Sequence, residues 1–268
     1  MLPLLNCLVM IDKTIFVGKY FKELESVDST NSFAAELVKK NEAKHGMIVF
    51  TTNQTKGKGQ REKVWNSEQK KNLTFSLTIK TDFLLVSEQF FLSMAISNAV
   101  WEYIYKKLEG LDATVFIKWP NDVLIGNQKV AGILIENTVN TNCLSWSIVG
   151  IGINLNQENF ELLYPSNFKP VSLKHFLKND LNIISELELL SEYLEKWLFK
   201  LNKREFKLIT ERYKQCLWNI GRTIKFENKE NELIEGLFLN IDESGVPIII
   251  DLNGKTYYFS ETKSVIYN

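Results

Sequence analysis

The 268-residue sequence has few of the residues that cross-link small proteins or hold metals, with three cysteines and two histidines. Cys7, Cys143 and Cys216 are widely spaced, so they predict neither a disulfide framework nor a metal cluster, and they fit a reducing cytoplasm. His45 and His175 have no cysteine, histidine or acidic partner at ligand spacing. A zinc site and histidine-driven catalysis are therefore poor interpretations of this chain.

The sequence also lacks an excess of either charge and any long apolar run. Its 32 basic and 32 acidic residues cancel, so no overall field attracts nucleic acid or an anionic membrane, and an anion site must be local. No run reaches the roughly 18–20 apolar residues that span a bilayer. The apolar residues 1–11 have neither a basic leader nor a cleavage site, and we interpret them as a buried first segment of a soluble protein.

The spacing of apolar residues predicts an α+β main body. Asp28-Ser29-Thr30 offers N-cap side chains for a helix over about residues 30–42, and longer helices are expected at 87–109 and 183–216, the last with a break at Asn202-Lys203. Gly126-Asn127 supplies a hairpin turn. The expected strands are a buried one at 46–52, a half-buried one at 73–79, and three more at about 114–125, 129–137 and 143–151.

The chain changes character after Gly221, where short strands alternate with turns at Glu227-Asn228, Glu243-Ser244-Gly245 and Asn253-Gly254. This pattern predicts a small all-β barrel of about 48 residues. We therefore expect a main domain over residues 1–218 and a small β domain over 219–268, since the chain is long enough for two domains.

A polar loop at residues 53–71 contains the first candidate site. Glycine lets a backbone approach a ligand closely, and nearby cations offset the charge of an anion, so the loop is a candidate for binding phosphate or carboxylate. The alternative is a solvated, mobile loop, and the spacing of a P-loop is absent. Around Gly57 and Gly59 lie four cations: Lys56, Lys58, Arg61 and Lys63.

Two neighbouring segments contain the second candidate site. Lys118-Trp119-Pro120-Asn121-Asp122 precedes a turn and Lys129 to Glu136 follows it, which places two lysines near an Asn-Asp pair, although both could be ordinary surface cations. Gly132 weakens an otherwise strong strand, so either a ligand approaches the backbone there or the strand has a bulge. The segment Gly150 to Asn156 repeats this pattern, with two glycines in a strand that ends in asparagines.

In this order and spacing, these segments resemble the biotin–protein ligase family. The resemblance covers roughly residues 25–156, from Ser29-Thr30-Asn31 through the loop that ends at Trp65 to the segment Gly150 to Asn156. The terminal unit looks like the small C-terminal domain of Src-homology-3 type found in that family. The resemblance implies a mixed sheet flanked by helices, with the ligand site on one sheet face.

The resemblance also implies a two-step reaction. Biotin and MgATP give an enzyme-held biotinyl-5'-adenylate and pyrophosphate, and a lysine of a biotin carboxyl carrier domain then attacks the mixed anhydride. No covalent enzyme intermediate is needed, which agrees with the lack of a plausible Ser-His or Cys-His nucleophile. The enzyme is expected in the cytoplasm as a monomer or a homodimer, without a membrane partner.

The biotin site of the family implies roles for residues that hold a neutral ring and an apolar tail. Ser29, Thr30 and Gln54 would hold the ureido ring, since hydroxyls and an amide supply hydrogen bonds of both polarities, although Ser29 could be a helix cap alone. Trp65 and main chain near Gly132 would line the ring and the tail. The residues expected at biotin are Ser29, Thr30, Asn31, Gln54, Gly57, Lys58, Gly59, Gln60, Trp65, Lys129, Gly132 and Leu134.

Lys129 and Lys58 are the catalytic residues that the resemblance implies. The biotin carboxylate must attack the α-phosphorus of ATP, so two anions have to meet while a fixed ammonium offsets the charge growing on phosphate. Mg²⁺ would be bound through the phosphates, with Asp122 as a candidate protein ligand. The residues expected at ATP are Lys58, Arg61, Lys63, Asn121, Asp122, Lys129, Gly150 and Asn154. Candidates for a residue that covers adenine are Phe160, Tyr164 and Phe168.

Two departures from the family matter. Its loops read Gly-Arg-Gly-Arg or nearly so, whereas this chain has Lys58 and Gln60, and Glu62 stands where a glycine is common. Lysine cannot hold phosphate through two parallel hydrogen bonds as arginine does. Some members begin with a DNA-binding helix-turn-helix, but about 25 residues precede Asp28 here, so we expect no DNA binding.

Two other functions fit parts of the sequence. A lipoate–protein ligase shares the fold and the adenylation chemistry, but the loop ending in Trp65 and the terminal barrel argue against it. A non-catalytic biotin sensor would use the adenylate as a signal, and the retained Lys129 together with the missing DNA-binding segment argues against that function.

Overall fold

A computed structural model describes residues 11–60, 64–160, 168–228, 230–242, 244–258 and 262–266. Of the segment expected to be buried at the start of the chain, residues 1–10 lie outside this description, and Ile11 is buried in the main core. Within the described ranges, no helix is both long enough and apolar enough to cross a lipid bilayer.

The main body is built on an eight-stranded mixed sheet. Its strands are β1 (Phe21–Leu24), β2 (Met47–Thr51), β3 (Leu73–Lys80), β4 (Val115–Lys118), β5 (Asp122–Ile125), β6 (Gln128–Asn140), β7 (Cys143–Ile153) and β8 (Lys169–Pro170). Seven of them follow the order β1-β2-β3-β7-β6-β5-β4, and β8 pairs with β6 beside that path. The β1–β2 and β6–β8 pairs are parallel. The short strands β1 and β8 were not expected from the sequence.

Helices cover both faces of this sheet. They are α1 (Thr30–Lys39), α2 (Gln89–Lys107), α3 (Leu173–Leu177), α4 (Ile183–Asn202) and α5 (Phe206–Cys216), with a 3₁₀ turn at Val86–Glu88. Helix α1 packs on the face that carries Val49 and Ile148, whereas α2 and α4 pack on the face of Ile48 and Val149. These are opposite faces, because successive strand residues point to opposite sides. The expected helix break after Asn202 is confirmed.

Strand β3 is more buried than expected. The alternation at 73–79 predicts a half-buried strand, and this prediction is wrong, because every residue from Leu73 to Ile79 is buried. The polar residues lie on the α1 side of the strand and have main-chain partners: the Thr74 hydroxyl donates to the Thr51 carbonyl of β2 at 2.8 Å, and the Thr78 hydroxyl donates to the Lys44 carbonyl, between α1 and β2, at 2.8 Å. Hydrogen bonds thus replace water on this side of the strand.

The run expected as one strand at 114–125 is two strands. Strand β4 ends at Lys118, β5 begins at Asp122, and the turn between them makes these two residues partners in the ladder. Pro120 has no N–H to donate to a ladder, which explains why the run breaks there. The expected hairpin turn at Gly126 is confirmed, and Gly126 has a φ of +57°.

A second sheet of five antiparallel strands follows the helices. Its strands are β9 (Thr223–Asn228), β10 (Leu233–Ile241), β11 (Pro247–Asp251), β12 (Thr256–Tyr258) and β13 (Thr262–Ile266). They pair in the order β12-β11-β10-β9-β13. Buried residues of this sheet, among them Phe226 and Phe238, belong to the same apolar cluster as the core of the main body. The two sheets are therefore packed together.

Candidate active site

Three glycines on the α1 face of the main sheet form a surface without side chains. Gly152 of β7 lies directly opposite Gly132 of β6, and Gly150 lies two residues earlier on the same face. On its other side Gly152 pairs with Thr74 of β3. Gly132 pairs on its other side with Asp122 of β5. Opposed residues of antiparallel strands share a face. We call Gly132, Gly150 and Gly152 the glycine floor.

Side chains from outside the sheet lie directly on this floor. A Cβ atom added to Gly152 would lie 2.3 Å from Trp65 Cε2, and one added to Gly150 would lie 2.3 Å from Asn31 Oδ1. At Gly132 the nearest atom would be Trp65 Cζ3, at 3.1 Å. Gly132 pairs with Asp122 on one side and with Gly152 on the other, and the β5–β6 ladder shifts register just before it, between the pairs Val123–Ala131 and Leu124–Lys129. Both expectations for this glycine therefore have support: an irregular ladder lies beside it, and Trp65 approaches it closely.

The start of α1 supplies hydrogen-bonding groups at one end of the floor. Ser29 is the N-cap of the helix, and its side chain accepts from the Ser32 N–H at 3.4 Å. Thr30 donates its backbone N–H and its hydroxyl to Gln54 Oε1, at 2.9 and 3.2 Å. Gln54 Nε2 then faces Gly57, where an added Cβ would lie 2.6 Å from it. The Gln54 amide is thus held in one orientation.

Ser76 of β3, which no sequence motif singled out, joins these groups from beneath. Its hydroxyl lies 2.8 Å from Thr30 Oγ1 and 2.5 Å from Asn31 Oδ1. Asn31 Nδ2 donates to Glu136 Oε2 at 2.8 Å. Thr30, Asn31 and Ser76 are buried, and the polar alternation of β3 was the signal, because buried polar groups need partners. We call Thr30, Asn31, Gln54 and Ser76 the neutral end.

The opposite side of the floor carries charge. Lys129 Nζ lies 2.7 Å from Asp122 Oδ1, and Lys118 Nζ lies 3.6 Å from Asp122 Oδ2. One carboxylate therefore faces two ammonium groups, which leaves a local excess of positive charge for an anion. Lys118 was recognised in the sequence but given no role, because its ladder pairing with Asp122 becomes visible only in the fold. We call Lys118, Asp122 and Lys129 the charged end.

Trp65 lies between the two ends. Its indole covers Gly132 and Gly152 and lies 5.6 Å, measured to the ring centroid, from Lys129 Nζ. Its buried Nε1–H finds no acceptor among the described residues. A buried donor without an acceptor costs about 1–3 kcal/mol, so a ligand that offers an acceptor on the floor is favoured.

Two asparagines expected near the nucleotide hold the backbone around Lys129. Asn121 Nδ2 donates to the Ile133 carbonyl. Asn154 Nδ2 donates to the carbonyls of Val171 at 3.1 Å and Lys129 at 3.4 Å. Their amide donors are engaged by the main chain, so in this structure the two residues position β6.

The cationic loop is described in part. Lys58 and Gln60 are exposed, and Lys58 forms an isolated bridge with Val64 that closes the loop. Of the other predicted residues, Arg61, Lys63 and Tyr164 lie outside the described residues. Phe168 is buried against Trp218, with ring centroids 5.0 Å apart.

The fold and this face of the sheet define an α+β protein with an uncharged group of polar side chains, a flat middle of glycines and a charged group on one sheet face. The sequence model of the biotin/lipoate A/B protein ligase family matches residues 23–154, just under half of this chain.

Individual relatives are similar to different extents. The chain is 32% identical over 160 residues to the bifunctional ligase/repressor BirA of Bacillus subtilis, which covers 60% of this chain and 47% of that protein, so the chain spans about half the length of this relative. It is 25% identical to the biotin–[acetyl-CoA-carboxylase] ligase of Mycobacterium tuberculosis, over 93% of this chain and 91% of that protein. A biotin protein ligase from Aquifex aeolicus, solved in complex with biotin and ATP, matches with a TM-score of 0.75 and 25% identity over 93% of this chain and 100% of that one.

Proposed function

We propose that this protein is a biotin–protein ligase, which activates biotin with ATP and joins it to a lysine of a biotin carboxyl carrier domain. The observation that supports this function best is the glycine floor, because it lies between a neutral hydrogen-bonding end and a charged end. The Aquifex aeolicus protein was solved with biotin and ATP, and the Mycobacterium tuberculosis protein is named for this activity. Both likenesses support the proposal.

The neutral end suits the ureido ring of biotin. Gln54 Oε1 accepts from Thr30, so Gln54 Nε2 is the amide atom that can donate to the ureido oxygen, while the hydroxyls of Ser29 and Thr30 can accept from ring N–H groups. The Trp65 indole and the main chain near Gly132 would line the apolar ring and tail. The remaining biotin contacts in the proposal come from Asn31, Gly57, Gly59, Gln60 and Leu134.

The charged end suits the reacting carboxylate and the α-phosphate. A carboxylate oxygen of biotin forms a bond to the α-phosphorus, and the bond from phosphorus to the leaving pyrophosphate breaks. Asp122 holds Lys129 at 2.7 Å, so this ammonium is preorganised to stabilise the charge that grows on the phosphate oxygens. Lys58, which is exposed on the loop, would supply a second cation from above the floor.

The nucleotide would lie beyond Lys129, along the charged side of the floor. Lys58, Arg61 and Lys63 would neutralise the triphosphate. Gly150, also expected at ATP, lies against Asn31 of the neutral end, where an added Cβ atom would be 2.3 Å from Asn31 Oδ1. Within the described residues, no group of three acidic, histidine or cysteine side chains can hold a metal, and Asp122 already pairs with two lysines. Mg²⁺ that bridges phosphates needs only one or two protein carboxylates, so Asp122 remains the candidate ligand and MgATP would enter as one substrate.

The second step needs no nucleophile from the enzyme. The carrier lysine attacks the acyl carbon of the adenylate, an amide bond forms and AMP leaves. Cys216 is unsuited to covalent catalysis, because burial raises the pKa of its thiol to about 11.

We assign residues 1–218 to a catalytic domain and residues 219–268 to a small domain whose five strands form a barrel of Src-homology-3 type. The neutral overall charge and the free cysteines Cys143 and Cys216 suit a cytoplasmic enzyme.

The test is transfer of label to a purified carrier domain in the presence of MgATP, with biotin and lipoate compared in parallel. Label from biotin alone is the expected result. Label from lipoate would show a lipoate–protein ligase, and adenylate formation without transfer would show a sensor. Absence of adenylate with either acid would contradict the proposed function.

A further inference from the structure

The turn between β10 and β11 in the second sheet contacts the main body beside the charged end. Trp119 Nε1 donates a hydrogen bond to the Gly245 carbonyl at 2.8 Å. Gly245 is buried, and a Cβ atom added to it would lie 1.8 Å from Cδ1 of Phe90 in α2. Asp242 stabilises the turn, since its carbonyl accepts from the Gly245 N–H at 3.0 Å and its carboxylate accepts from the Val246 N–H at 2.8 Å.

Phe90 also packs against a tyrosine that holds the backbone before Asp122. The Phe90 ring packs edge-on against Tyr213 of α5, with ring centroids 5.9 Å apart. Tyr213 is fully buried and donates its hydroxyl to the Pro120 carbonyl at 2.8 Å. Two helices and the second sheet thus fix the residues that precede Asp122. Asp122 in turn contacts both lysines of the charged end.

We infer that the β10–β11 turn, through Gly245, is a positioning element for the charged end, an inference that rests on the proposed adenylation chemistry. The Gly245 carbonyl fixes the Trp119 indole, and the Phe90–Tyr213 pair fixes Pro120. Together they set where the Asp122 carboxylate meets Lys129. A displacement of about 1 Å at a reacting centre can slow a reaction about 100-fold, so loosening this contact slows adenylation. Binding of biotin at the neutral end is unaffected, because α1 and β3 build that end.

Two glycine variants form a matched pair for the test. Gly245 and Gly254 both lie in turns of the second sheet at positive φ, +80° and +82°, but nothing lies within 4 Å of a Cβ atom at Gly254. Backbone strain is therefore common to Gly245→Ala and Gly254→Ala, and only Gly245→Ala displaces Phe90. In the full-length protein, we expect single-turnover formation of biotinyl-adenylate to slow about 10- to 100-fold in Gly245→Ala. The Kd of biotin alone should stay within about twofold, and Gly254→Ala should match the parent.

Two further variants separate positioning from simple loss of structure. In a Phe90→Ala background the clash is gone, so the added effect of Gly245→Ala should shrink to less than about twofold. Trp119→Phe keeps a ring and removes the donor to Gly245, so it should slow adenylation in the same direction even if Gly245→Ala fails to fold. The exchange rates of the amide hydrogens at Trp119 and at 121–123 should rise in Gly245→Ala and remain unchanged in Gly254→Ala.

Three outcomes would overturn the inference: equal slowing in the two glycine variants, unchanged adenylation in both Gly245→Ala and Trp119→Phe, or unchanged exchange at 119–123. Each leaves the proposed function intact as long as the parent forms biotinyl-adenylate. If the parent forms none, the proposed function fails, and the exchange measurement still decides whether the turn holds the backbone before Asp122.

Discussion

The neutral end and the charged end of the glycine floor are built in different ways. Thr30, Asn31 and Ser76 at the neutral end are buried, and the Ser76 hydroxyl lies within hydrogen-bonding distance of the other two side chains. At the charged end, the side chains of Lys118 and Lys129 are 20% and 30% exposed and share one carboxylate. A dipolar ring can therefore meet groups that are already oriented, whereas an arriving anion must compete with Asp122 for its cations.

Because of this difference, we expect the neutral end to set the affinity for biotin and the charged end to set the rate of adenylation. Groups that contact the biotin ring equally in the ground state and the transition state change the Kd and leave the rate of chemistry unchanged. Groups that meet charge only as it develops on phosphate change the rate. Variants at the two ends should therefore produce separable kinetic effects.

The largest effect is expected from Lys129→Ala, which tests the charged end. Adenylate formation should fall by about 1,000-fold or more while the protein stays folded. The Kd of biotin should rise far less than this, because Lys129 faces only the carboxylate of bound biotin and the neutral end is intact. Lys118→Ala is the matched control, because Lys118 also faces the Asp122 carboxylate. Its Nζ lies 3.6 Å from an Asp122 oxygen, whereas Lys129 Nζ lies 2.7 Å from one. We expect a loss of about tenfold there. Near-parent adenylation by Lys129→Ala, in a single-turnover assay, would remove Lys129 from the mechanism.

The next effect concerns the floor, which both ends share. Gly152→Ala places a methyl group 2.3 Å from the present position of the Trp65 indole, whereas Gly132→Ala places one 3.1 Å from it. Calorimetry with biotin should therefore show a loss of affinity of about 100-fold for Gly152→Ala and several-fold for Gly132→Ala, as overpacking predicts. Equal Kd values for the two variants would mean that the indole moves away freely and that the floor does not contact the ligand.

A smaller effect is expected from Ser76→Ala, which loosens the neutral end. Loss of one buried hydroxyl should raise the Kd of biotin about tenfold and lower the free energy of unfolding by about 1 kcal/mol, with adenylation at saturating biotin unchanged. Thr78→Val is the matched control, since Thr78 lies on the same face of β3 and is buried, but donates to the Lys44 carbonyl. A slower rate at saturating biotin in Ser76→Ala would contradict the division between the two ends.

Local sequence patterns predicted the elements that approach the floor, but not the partners that meet on it. The cap at Ser29, the glycines of β6 and β7 and the helices with their break after Asn202 follow from spacing and propensity. Ser76 meets Thr30 and Asn31, which lie 46 and 45 residues earlier in the chain. Lys118 meets Asp122 because the chain folds back between β4 and β5, and the apolar pattern, which predicted one strand there, encodes neither contact. The same holds for Gly245, whose turn was predicted but whose contact with Trp119 joins residues far apart in the chain.

The smallest predicted effect concerns Lys58 and Gln60, which are exposed on the cationic loop. Arginine presents a planar fork to phosphate where lysine offers a point charge, and a second arginine would add charge-assisted bonding where glutamine offers a neutral dipole. Exposure and salt screening limit the gain, so Lys58→Arg with Gln60→Arg should slow release of biotinyl-adenylate several-fold, not by orders of magnitude. The release rate is measured by chasing the preformed complex with excess unlabelled biotin and ATP. Lys56→Arg, at the loop cation that pairs with Asp28 at 3.1 Å, is the control. Unchanged or faster release in the double variant would mean that neighbouring cations already complete the charged side and that the two substitutions are neutral.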